Sequence, residues 1–426
     1  MKWNRLRRSE LLVISVLVAG FALSGWKIFT RSPPANFSIP ATQFDPSQSG
    51  PSVGMSASPK DMLSLPMSAD GRYRFDARFV SSVPGQAVHA ASIVELADGR
   101  LRAVWFSGSR EGASDVAIKT SILNTESMQW GSETTLLDRN QAQQGLWRYV
   151  KKLGNPVIAR LPDRSLGLWM VSVSLGGWAG SSIVFLRSVD DGFTWSRPEK
   201  LVTSPFLNIS TLVKGSPIFY KDGQIGLPVY HEFITKFAEV LRLDQTGRVI
   251  DKVRLPGSHS NLQPVVLVNS PSNAQAYLRS GTSSGVTFSV TNNAGASWSP
   301  LRTLTLPNPD SALAGAVTTN GWQYLALNYQ SNGRQSLSLL QSPVGGAFDN
   351  ATPWSVEPAP DNAANLQVPE FSQQLGNELQ AKGTSLEDSG RYVASAVRQL
   401  CSSERCAAEF SYPYLLQSRD GYLHLV

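Results

Sequence analysis

The chain has 426 residues and a formal net charge of +6. Part of that excess sits at Lys2, Arg5, Arg7 and Arg8, and no long basic run follows, which excludes a nucleic-acid-binding footprint. A hydrophobic content of 42% with 34 glycines and 26 prolines excludes a disordered chain and suits a body of many short strands and turns.

The first element, over residues 1–30, is a targeting segment. Met1–Glu10 is basic, and Leu11–Trp26 is an apolar run followed by Lys27. The run is shorter than the roughly 20 residues of a comfortable span. Two readings fit it. One is an uncleaved signal anchor with the arginine cluster inside. The other is a cleaved signal peptide with Ala22-Leu23-Ser24 at the cleavage site. The anchor is preferred because Trp26, Ile28 and Phe29 continue the apolar character past that site. Either reading carries the body across a membrane of a bacterial envelope. The body is then periplasmic and anchored to the inner membrane, or it is secreted. Residues 31–72 are rich in Pro, Ser, Ala and Gln without periodicity and read as a flexible linker.

From Tyr73 to Val426 the text becomes short β-like runs joined by turn residues. Six hairpins stand out. They turn at Asp98-Gly99, Asp163, Asp222-Gly223, between Val268 and Ala276, at Asn320-Gly321 and at Asp420-Gly421. Their spacing is that of the inner strands of six blades, so the expected fold is all-β, a six-bladed β-propeller. Two stretches share one further pattern: Ser188-Val189-Asp190-Asp191-Gly192-Phe193-Thr194-Trp195 and Thr291-Asn292-Asn293-Ala294-Gly295-Ala296-Ser297-Trp298. Asp190 and Asn293 can accept backbone N–H groups in an Asx-type turn, and the glycines supply positive φ. The tryptophans are expected to bury against a neighbouring blade. The pattern is thus a staple between strands and not a catalytic device.

A segment from about 366 to 400 breaks this rhythm. Its apolar spacing is helical, and it reads as an insertion before the last blade. Next comes Cys401-Ser-Ser-Glu-Arg-Cys406, which holds the only two cysteines and is expected to close a small disulfide loop in an oxidising compartment. The four histidines are scattered and no metal site is expected. The chain stops at Val426, one strand into the last blade, so either more sequence follows or the ring closes differently.

The repeated pattern resembles the Asp box of sialidase-like proteins of the BNR-repeat class, and the resemblance runs from about Phe79 to Val426. It is carried further by His89-Ala-Ala-Ser92, Ser109-Arg-Glu111-Gly112-Ala-Ser-Asp115, Gly154-Asn155-Pro156, Lys214-Gly-Ser-Pro217, Gln263-Pro264, Leu278-Arg279-Ser280, Leu306-Pro-Asn308-Pro309 and Glu409-Phe-Ser-Tyr412-Pro413. The resemblance implies a retaining exo-glycosidase with its site at the propeller centre. That site has three arginines on a substrate carboxylate, a Tyr–Glu nucleophile pair and an Asp acid/base, and it needs no metal or cofactor.

Carried over residue by residue, the resemblance makes Tyr412 the nucleophile, Asp115 the acid/base and Arg279 an anion clamp. Where the family has its first arginine, this chain has His89; where it has the supporting Glu, this chain has Gln263. Glu232 is the preferred replacement base, ahead of Glu111 and Glu409. No third arginine is evident between Arg279 and Tyr412. His89, Arg110, Glu111, Asn155 and Gln263 complete the expected substrate-binding set. The expected function is an exported glycosidase acting on an acidic or deoxy-sugar glycan. A polysaccharide lyase and a non-catalytic glycan-binding propeller are the alternatives. The expected partners are the glycan and, through the N-terminal segment, a membrane. The oligomeric state is open.

Overall fold

A computed structural model describes residues 8–29, 32–39, 77–81, 83, 86–124, 127–204, 208–282, 285–357, 366–381, 384–402, 404–406 and 409–426. Most of the described chain is antiparallel β-structure. Five sheets of four or five strands follow one another, and consecutive strands within each pair with one another. Their first strands are Ala87–Glu95, Lys152–Arg160, Leu212–Val213 with Ile218–Phe219, Asn261–Val268 and Ala314–Val317. A sixth sheet pairs Leu415–Gln417 with Leu423–Leu425. Neighbouring sheets touch near their first strands, and the sixth touches both the fifth and the first.

This packing explains the composition of the second strands. Leu101–Gly108 and Leu166–Val173 are buried along their whole length. A strand covered on both faces reads as a nearly continuous apolar run, as in Leu-Gly-Leu-Trp-Met-Val-Ser-Val, and not as an alternation. Trp169, Leu227 and Tyr277 are among the fully buried side chains that result.

Both repeated turns form as their residues dictate. Asp190 accepts the Thr194 N–H at 2.9 Å and the Thr194 hydroxyl at 2.6 Å, and Gly192 holds φ at 87°. Asn293 accepts the Ser297 N–H at 3.0 Å, with Gly295 at φ 81°. Trp298 is buried among residues of the third and fourth sheets, and Trp195 packs on a cluster shared by the first and second. In the first copy Asp191 bonds Arg160 of its own sheet and reaches the neighbouring sheet through the Ala97 N–H. These turns therefore staple sheets at the end that carries the strand-one-to-strand-two hairpins.

Helix α1 spans Arg8–Phe29. Among the described residues no helix is long and apolar enough to cross a membrane. The physical reason is the one visible in the sequence: the apolar stretch Leu11–Trp26 covers only about 24 Å at about 1.5 Å per residue, against roughly 30 Å of hydrocarbon. The expected spanning helix thus finds no support in the fold. Its apolar side chains are nonetheless exposed, Leu12 by 67% and Val18 by 61%.

Residues 32–39, read in sequence as the start of the linker, pack against the body. Phe37 is fully buried between the third and fourth sheets and stacks on Tyr220 at 5.3 Å. Its N–H bonds the Pro271 carbonyl, and the Ser38 N–H bonds Phe219. Residues 40–76, the greater part of the expected linker, lie outside the described residues.

A short helix, α2 (Arg139–Leu146), joins the first and second sheets behind a capping box of Asp138 and Gln141. The expected insertion is a helical hairpin of α3 (Val368–Ala381) and α4 (Leu386–Leu400), with Ser385 capping α4. It has its own small core of Leu366, Phe371, Leu375 and Val397, closed by the Cys401–Cys406 disulfide.

Candidate active site

The register places the hairpin of the first sheet between Glu95 and Leu101, so His89 lies at the opposite end of its strand. Asn155, Gln263 and Arg279 occupy the same end of their sheets, where Leu262 pairs with Arg279. Glu232 follows directly on the strand Ile225–His231, again at this end. The site and the stapled turns therefore sit at opposite ends of the ring of sheets.

One local device recurs along this end. The first strands of the first, second and fourth sheets each carry a register shift, next to His89, Gly154 and Leu262. At each shift a non-glycine residue takes a left-handed backbone: Ala90 at φ 52°, Asn155 at 43° and Gln263 at 53°. Tyr412, just before the sixth sheet, has φ 60°, and Asp310, ahead of the fifth, has 56°. Such residues cost about 1–3 kcal/mol each, and bulges of this kind re-aim side chains beside functional sites. Asn155, Gln263 and Tyr412 each precede a proline, which disfavours the right-handed helical conformation at these positions.

These bulges converge a defined set of groups. The rings of His89 and Tyr412 lie 4.3 Å apart. Tyr412 is an electrostatic partner of Arg279. Arg279 donates to Asp310 at 2.5 Å and to the Gln263 carbonyl oxygen at 3.2 Å. The Gln263 amide and the Asn155 amide both donate to the buried Tyr230 hydroxyl, at 3.4 and 3.2 Å. Gln263 and Asn155 are thus scaffold amides beneath the site, not groups presented to its mouth. Beneath Tyr412 lies Lys214, 3% exposed, whose Nζ donates to the Pro413 carbonyl at 2.8 Å. That Nζ also lies 5.9 Å from the centre of the Tyr412 ring.

The electrostatics follow from burial. It pushes Lys214 down to about 7 and Tyr230 well above the usual phenol range. It also lowers His89, against the pull of Glu111 and Glu409, so the imidazole is biased towards neutral. Burial raises Glu232 above the ordinary carboxylate range, although Lys236 and Arg279 oppose it. A half-buried carboxyl whose field is shared with Arg279, Asp310 and Glu111 suits a proton acceptor.

Several expectations change. Asp115 does not join this group. Both of its oxygens are taken by Ser109, N–H and hydroxyl each at 2.9 Å, so it closes its own loop. Arg110 is exposed, with Asp115 as its electrostatic partner. Glu111, on the same loop, is the carboxylate whose field reaches His89, Lys152 and Glu232. A second arginine missed in the sequence is present. Arg334 donates to Glu409 at 3.1 Å, to the Ser411 hydroxyl at 3.0 Å and to the Asp310 carbonyl at 3.1 Å. Its field reaches His89. It sits in the loop between Leu327 and Leu337, where nothing local marks it, and its partner Glu409 is 75 residues away.

Comparison with known proteins bears on the fold. A family model described as a BNR repeat-like domain matches residues 99–425. The chain belongs to this BNR repeat-like family. No curated relative matches it. Among solved structures it is similar to the Hadza microbial sialidase Hz136, with 15% identity and a TM-score of 0.53 over 64% of this chain; the chain covers 58% of that sialidase's length. It is also similar to the intramolecular trans-sialidase from Ruminococcus gnavus, at 12% identity and a TM-score of 0.54, covering 80% of this chain and 89% of that one. For the NanB sialidase from Streptococcus pneumoniae the values are 9% identity, a TM-score of 0.56, and 87% and 69% coverage. At such identities the likeness shows a sialidase-like fold for this BNR repeat-like chain. Site chemistry must be argued from its own residues.

Proposed function

We propose that this protein is a sialidase-like glycoside hydrolase whose ring of sheets is a six-bladed propeller with the catalytic centre at the end bearing Tyr412. The observation that carries this is the placement of Tyr412. Its backbone is left-handed, its ring lies 4.3 Å from that of His89, and Arg279 is its electrostatic partner. In the first step the Tyr412 oxygen attacks the anomeric carbon and its proton passes to Glu232. The bond to the leaving oxygen breaks as Glu111 protonates it, the role first assigned to Asp115. Water then cleaves the glycosyl–tyrosine bond, with Glu111 taking its proton and Glu232 returning one to the phenolate. A phenol as nucleophile is neutral until its proton passes to the base, so it brings no full negative charge to the anomeric centre before attack.

The exposed apolar face of α1 supports a membrane-associated protein, and the Cys401–Cys406 disulfide supports an oxidising, exported location. Incubation of the protein with aryl glycosides and envelope glycans, with products read by mass spectrometry, tests the activity. Tyr412→Phe should abolish turnover while keeping the circular-dichroism spectrum. Full turnover by that variant would refute the assignment. Retention of a glycan by the folded wild-type protein without any product would favour the binding-only propeller instead.

A further inference from the structure

Among the described residues, Arg279 and Arg334 reach this end of the sheets, and each is already matched to a carboxylate of this chain. Arg279 Nε bonds Asp310 at 2.5 Å, and Arg334 Nη1 bonds Glu409 at 3.1 Å. Beside them stands His89, an imidazole half-buried against Phe106 and Tyr412. Asp310 is not a loose rim residue. It lies in a loop pinned by buried Asn308, which accepts the Ser311 N–H at 3.0 Å and donates to its hydroxyl at 3.2 Å. Its own carbonyl receives Arg334, so the same residue engages both arginines, one through its side chain and one through its backbone.

A second carboxylate brought onto Arg279 would meet Asp310 at close range in a partly buried site, where like charges repel strongly. We propose that Asp310 is the specificity-determining residue of the site: it occupies on Arg279 the place a substrate carboxylate would take, so the sugar accepted there is uncharged, a neutral or deoxy sugar and not a sugar acid. This rests on the reading of the centre as a glycan site and narrows it.

The test compares one ring with and without its charge. The probes are 2,3-didehydro-2-deoxy-N-acetylneuraminic acid and its methyl ester, titrated by calorimetry into wild-type protein and Asp310→Asn. Asparagine keeps the shape and tolerates the left-handed backbone. Wild-type protein should bind the ester at least as well as the acid. In D310N the acid-to-ester affinity ratio should rise at least tenfold, and the gain should vanish when Arg279→Gln is added. An unchanged ratio in D310N, or wild-type preference for the acid, would overturn the inference and leave the glycan reading standing. Failure of both probes to bind any variant would overturn both.

Discussion

Lys214 offers the sharpest quantitative test of the packing beneath Tyr412. Its ammonium is fully buried, held by one carbonyl and by the faces of Tyr412 and Tyr414. Burial lowers its pKa from 10.5 to about 7. Below pH 7 both folded and unfolded chains carry the proton, and the folded state bears the full desolvation penalty. From about 7 to 10.5 the folded protein has shed a proton that the unfolded chain keeps, so stability rises with pH; above that window the penalty is gone. The depression corresponds to roughly 5 kcal/mol over the whole window, and about 3 kcal/mol of it should appear between pH 7 and pH 9.5. Lys214→Met removes the titrating group while filling similar volume. The measurement is urea denaturation of both proteins at several pH values, with the difference between the two stability curves isolating this residue. That difference should shift steadily in favour of the wild type as pH rises. Parallel curves, with a constant difference from pH 7 to 9.5, would refute the claim that a buried ammonium sits there.

Three further outcomes are expected. Phe37→Ala empties a fully buried site between the third and fourth sheets and should cost about 3–5 kcal/mol in denaturant unfolding; a loss below about 1 kcal/mol would mean that residues 32–39 are not docked. Glu232→Gln should abolish the acidic limb of the turnover profile, which burial of the carboxyl places above the ordinary carboxylate range; a profile like the wild type's would remove Glu232 from proton transfer. Arg419 bonds both Glu95 oxygens, at 2.8 and 2.9 Å through its side chain and N–H, and reaches the Leu96 and Ala97 carbonyls. Arg419→Ala should therefore speed hydrogen exchange at the Tyr414 and Val426 amides; unchanged exchange would show that this contact does not hold the sixth sheet.

The hairpins and the stapled turns were legible in the sequence because their causes are local. An aspartate or asparagine, a glycine two positions on and a hydroxyl residue four positions on determine the turn whatever surrounds it. The helical insertion was legible for the same reason, through its 3.6-residue spacing. The centre was legible only in part. Asn155-Pro156, Gln263-Pro264 and Tyr412-Pro413 are visible as words, and the left-handed backbone they share is the signal that could have ranked them together. Asp115 and Glu111 share an exposed loop, and only the hydrogen bonds from Ser109 show that Asp115 is engaged within it. Arg334 and Asp310 were missed because their meaning lies in partners 24 to 75 residues away. The linker reading failed at Phe37 for the opposite reason: a single aromatic in a Pro- and Ser-rich text carries no periodicity, yet one buried ring is enough to dock a strap.

The sixth sheet has two described strands where its neighbours have four or five, yet it carries Tyr412. Its order must then come from bonds across the ring more than from its own ladder. Phe410 N–H bonds the Arg334 carbonyl, Gln417 accepts the Thr319 N–H, Tyr414 reaches the Ile158 carbonyl, Lys214 holds Pro413, and Arg419 grips Glu95. These reach the fifth, second, third and first sheets in turn. A phenol seated on such a segment has its geometry set by bonds to the first, second, third and fifth sheets. This links stability to the site: a substitution that loosens any one of these contacts acts on Tyr412 without touching a substrate, through the left-handed turn at Tyr412-Pro413 that the contacts hold in place.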